Sequence, residues 1–65
     1  MAYDIEVDGP LPRAVHRRLV ELVGSDAIDE RPGRVVVSTR DQAAMIGIIH
    51  WMNDLGLCID RIQRS

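Results

Sequence analysis

Thr39-Arg-Asp-Gln-Ala-Ala-Met-Ile-Gly-Ile-Ile-His-Trp-Met-Asn-Asp-Leu-Gly56 is the stretch whose reading decides the fold. Thr39 with Gln42 three residues on has the spacing of a capping box, which satisfies the free N–H groups of a first helical turn. Asp41 adds a negative charge where the helix dipole is positive, and Leu55-Gly56 supplies a stop. Placed on a helix, Ala44, Ile48, Trp51 and Leu55 fall within one narrow arc, with Gly47 alongside to admit a close backbone. That arc is expected to face a sheet, flanked by Met45 and Met52. Ile46 and Ile49 fall on the opposite side, near Asn53. Outward isoleucines on so small a chain mark Met45, Ile46, Ile49, Met52 and Asn53 as an expected interface.

Outward from that helix, Arg34-Val-Val-Val-Ser38 is a β-branched run suited to a central strand. Arg31-Pro32-Gly33-Arg34 before it is a turn, with Pro presetting the second position and Gly accepting positive φ at the third. Ala27–Arg31 is a weaker strand, expected at an edge. Arg13–Val23 has helical spacing, with Val15, Leu19, Leu22 and Val23 as its apolar stripe and Gly24 as its stop. Tyr3–Asp8 alternates strictly, with Tyr3, Ile5 and Val7 on one face and Asp4, Glu6 and Asp8 on the other. Leu57–Arg64 is the last strand. Its parity breaks, because Ile62 leaves the face of Leu57 and Ile59 unless a bulge near Asp60 intervenes. Strand, helix, strand, strand, helix, strand with right-handed crossovers predicts an α+β fold of the ferredoxin-like βαββαβ kind. Its four-stranded antiparallel sheet takes the order 4-1-3-2, with two helices on one face.

The 65 residues make a single domain, 1–65, near the lower limit for folding without staples. A single cysteine excludes an internal disulfide and suits a reducing, cytoplasmic setting. Neither a signal peptide nor an apolar run long enough for a bilayer is expected. The formal charge is −2, and every cation is an arginine, a usage that points to a GC-rich genome more than to a selected site. Slight acidity and scarce aromatics argue against nucleic acid or an anionic membrane as partner.

Chemistry-bearing residues are few. His16 and His50 stand alone and are expected to face solvent, and Cys58 is expected to be a half-buried structural thiol. Asp4, Glu6 and Asp8 are expected to pair with arginines on neighbouring strands, such as Arg34 and Arg61, rather than to hold a cation. No catalytic constellation, metal site or cofactor site is expected.

Thr39-Arg-Asp-Gln-Ala-Ala-Met-Ile-Gly followed by Asp54-Leu-Gly-Leu resembles a set of short ferredoxin-like proteins of high-GC Gram-positive bacteria with no settled function. The likeness spans nearly the whole chain and implies the same fold. The element order and length are also similar to those of the ACT regulatory domain. Val7-Asp-Gly-Pro-Leu11 is similar to that family's loop after the first strand, although Gly9 and Pro10 stand in reversed order. This second resemblance implies a dimer that binds an amino acid or other small metabolite near Asp8, Gly9 and Leu11.

The leading expectation is a small non-enzymatic protein-interaction module, a homodimer or an accessory subunit of a larger protein. The alternative is an ACT-like sensor of a small metabolite at a dimer interface. A second alternative is a small dimeric cofactor-free enzyme using His16, His50 or Trp51 as its polar handle.

Overall fold

The computed structural model describes residues 2–64. Strand β1 (Tyr3–Asp8) leads to helix α1 (Arg13–Val23). A short 3-10 turn (Ser25–Ala27) follows, then β2 (Ile28–Arg31), β3 (Arg34–Thr39), helix α2 (Gln42–Asp54) and β4 (Ile59–Arg64). The strands form one antiparallel sheet in the order β2-β3-β1-β4. This is the ferredoxin-like arrangement, with α1 packed on β2 and α2 on β1, β3 and β4.

Each strand contributes according to its pattern. Ile5, Val7, Val35 and Val37 on the two central strands are buried beneath the helices, where they meet Val15 and Leu19 of α1 and Ile48 and Met52 of α2. The Pro32-Gly33 turn closes the β2–β3 hairpin between the paired Arg31 and Arg34, and Gly33 takes the φ of 75° that the turn demands. On the outer face, Arg34 Nη1 forms an ion pair with Glu6 Oε1 at 3.0 Å and Ser38 Oγ donates to Asp4 Oδ1 at 2.8 Å. Of the expected cross-strand partners, Arg34 is thus paired with Glu6, and Arg61 stands directly opposite Glu6 on β4.

The parity problem in the last strand is resolved by a bulge. Glu6 is opposite Arg61 while its neighbour Val7 is opposite Ile59, so Asp60 is the extra residue. Ile59 and Ile62 thereby share the helix-covered face. One row across the sheet now reads Ile28, Val37, Ile5, Ile62, one aliphatic side chain from each strand.

Four local expectations need correction. The N-cap of α2 is Asp41, whose Oδ1 accepts from Ala43 N–H at 2.9 Å. Thr39 is still paired with Tyr3 in the ladder, so the helix cannot begin until the chain has left the sheet. The last strand starts at Ile59 and not at Leu57, which leaves Cys58 exposed in the loop before it. His16 is not isolated: its Nε2 lies 2.6 Å from Oε1 of Glu30, because β2 turns Glu30 toward α1.

The fourth correction concerns which side of α2 faces the sheet. Ile48 and Met52 are buried, with Met45, Ile49 and Trp51 half-buried against the core, whereas Leu55 is exposed and Ala44 is half-buried outside that cluster. The buried arc is therefore turned by roughly 70° from the expected one. Two residues account for this. Trp51 is half-buried, and an indole placed fully beneath the helix would need a partner for its N–H. Met52 is fully buried, and its unbranched side chain adapts readily to the space beneath the helix. Leu55 lies past the last turn, at the C-cap, where the chain leaves the sheet.

Candidate functional site

The rotation of α2 decides what the molecule presents to its surroundings. With Met45, Ile48, Ile49 and Met52 turned inward, the flank carrying Ala44 and Gly47 faces the C-terminal end of α1. Those two residues are too small to bridge the gap to Leu22 and Val23. A groove of about 310 Å³ remains between the helices, lined by Leu22, Val23, Ala44, Gly47 and Ile48. A Cβ placed on Gly47 would meet nothing within 4 Å, so the groove is open at this point.

A second, wider depression of about 610 Å³ continues it along α1 and the start of α2. It shares Leu22, Val23 and Ala44 and adds a polar end at Ser38, Thr39, Arg40 and Asp41. Three of those four polar side chains are already engaged within the chain. Ser38 donates to Asp4, Thr39 Oγ1 accepts from Asp41 N–H at 3.3 Å, and Asp41 accepts from Ala43 N–H. Small-molecule sites orient their ligands by a few convergent polar groups, and the middle of this groove offers none.

Leu22 is 52% exposed, Leu55 49%, Ile62 47% and Ile46 44%. Of the residues expected to form an interface, Met52 is fully buried and has no surface to offer. Met45 and Ile49 are half-buried against the core, so only Ile46 and Asn53 stand exposed as expected. The groove brings together Leu22, Ala44 and Gly47, which the spacing assigned to packing, and Gly47 admits no close backbone. The groove's signal was an unusually small pair, Ala44 and Gly47, on an otherwise bulky helix.

The loop after β1 is placed as follows. Asp8 is exposed, and Gly9 and Leu11 are half-buried. Asp8 N–H donates to the Cys58 carbonyl at 3.1 Å, and Gly9 N–H to the Gly33 carbonyl at 3.1 Å. Both backbone donors expected to meet a metabolite are thus committed to the loops beside them. Neither helical groove is lined by Asp8, Gly9 or Leu11. Gly9 serves packing instead, since a Cβ there would lie 3.1 Å from Val35 Cγ2 and 3.3 Å from the Arg34 nitrogen.

His50 is exposed on α2, and His16 is held by Glu30 on the far side of α1. Among the described residues, no group of three or more His, Cys, Asp or Glu is placed to hold a metal ion, and no helix is long and apolar enough to cross a membrane. Compared with known proteins, the chain matches no family model, and no curated protein or solved structure resembles it at a significant level.

Proposed function

We propose that this chain is a small protein-interaction module, which receives an apolar segment of another polypeptide in the groove between its helices. The observation that supports this reading is the wholly apolar lining at Leu22, Val23, Ala44, Gly47 and Ile48 on a surface open to solvent. Leucines left half-exposed are costly to keep in water: full burial of such a side chain contributes about 1.5–3 kcal/mol. At Leu22, which is 52% exposed, an intercalated side chain from a partner recovers roughly half of that contribution without reshaping the core. An accessory subunit of a larger protein fits this description.

Gly47→Glu tests the reading with least risk to the fold, because space is open at that position. Wild-type and Gly47→Glu chains serve as paired baits in extracts of the source cells, with thermal melts run alongside. The expected result is a partner held by the wild type and lost by Gly47→Glu at equal thermal stability. Identical captured sets from two equally folded baits contradict it.

A further inference from the structure

Strand β4 is an edge strand with one neighbour, β1, and its bulge and charges leave one exposed apolar residue, Ile62, within the regular part of that edge. The other edge, β2, is four residues long and carries Asp29, Glu30 and Arg31, with Glu30 tied down by His16. A pairing of β2 with its own copy about Glu30 would set two glutamates against each other. β4 is six residues long, and its centre is the half-exposed Ile62.

Backbone directions on β4 follow from the ladder. Asp8 N–H points to the β4 side, where it meets the Cys58 carbonyl, and Gly9 N–H points to the β3 side, where it meets Gly33. By the alternation of antiparallel strands, Glu6 and Asp4 also point to β4, and Ile5 points to β3. Arg61 and Gln63, opposite Glu6 and Asp4, therefore bond to β1. Ile62, opposite Ile5, directs its N–H and C=O outward.

The sequence about Ile62 is complementary to itself. In an antiparallel pairing of two copies centred on Ile62, Arg61 stands opposite Gln63 of the second copy and Asp60 stands opposite Arg64. Opposite charges thus meet at both ends, and two isoleucines meet in the middle. The bulge at Asp60 has the same direction: without it Ile62 would lie on the outer face, and with it Ile62 ends the apolar row Ile28–Val37–Ile5.

We infer that two copies of this chain pair along β4, antiparallel about Ile62, to form one eight-stranded sheet with all four helices on the same face. The apolar row then runs unbroken from Ile28 of one copy to Ile28 of the other. The contact is isologous and closes on itself, so it gives a dimer and not a fibre. It uses a surface separate from the helical groove, and the pair carries two grooves side by side. The inference accepts the reading of the chain as an interaction module and stands on different residues.

Sedimentation analysis over a range of concentrations tests it, using wild type, Ile62→Lys, Asp60→Arg, Arg64→Asp and the Asp60→Arg/Arg64→Asp double variant. The wild type is expected at twice the 7.3 kDa chain mass. Ile62→Lys is expected to be monomeric. Each single charge reversal sets like charges together twice per dimer and weakens association about tenfold, and the double variant regains it. Asp60 and Arg64 are exposed, so these reversals leave the fold intact even if Ile62→Lys does not. A wild type that stays monomeric at every concentration overturns the inference. So does a dimer indifferent to all the β4 changes, which would place self-association on another surface.

Discussion

A methyl group added at Gly47 meets no atom within 4 Å, whereas at Gly9 it meets Val35 Cγ2 at 3.1 Å and the Arg34 backbone at 3.3 Å. Gly47→Ala therefore gains helix propensity at no steric cost and is expected to raise stability by up to about 1 kcal/mol in denaturant melts. Gly9→Ala is expected to lower it, since a paired backbone has no room to yield. The Glu6–Arg34 ion pair is similarly lopsided: the Glu6 side chain is 12% exposed and that of Arg34 51%. Arg34→Ala leaves a nearly buried carboxylate short of a donor and is expected to cost about 1–2 kcal/mol. Glu6→Gln keeps an acceptor in place and costs less. Equal losses from the two changes would mean that Arg61, on the other side of Glu6, takes over the pairing.

Among the elements, α2 is where sequence reading and structure part. The strand alternation of Tyr3–Asp8, the bounds of α1, the Pro32-Gly33 hairpin and the odd parity of Leu57–Arg64 are local signals, and each was legible. The azimuth of α2 was not, because apolar residues occupy nearly all of its circumference and periodicity then has no direction to report. What fixes the azimuth is non-local: how each side chain fits against the sheet, where Met52 is fully buried and Trp51 only half-buried. The exposure of Leu22 was hidden for the same reason, since it depends on Ala44 and Gly47 across the groove. Truncation separates the two azimuths. Met52→Ala is expected to cost about 2–5 kcal/mol, enough to unfold much of so small a domain, and Leu55→Ala well under half as much. The reverse order in urea melts would restore the arc read from spacing alone.

For the whole molecule, the groove between the helices and the outer edge of β4 are surfaces that, among the described residues, one chain leaves incompletely covered. A domain of this length buries only about 60% of the surface of its unfolded chain, so further burial by association is its cheapest source of stability. In the proposed pair, the sheet joins two copies and the grooves remain free for other partners. The direct test is amide hydrogen exchange at Ile62, followed residue by residue at low and high protein concentration. The pairing predicts that this outward amide becomes protected as concentration rises, and in Asp60→Arg only at about tenfold higher concentration. Free exchange of the Ile62 amide at concentrations where the protein sediments as a dimer would contradict it.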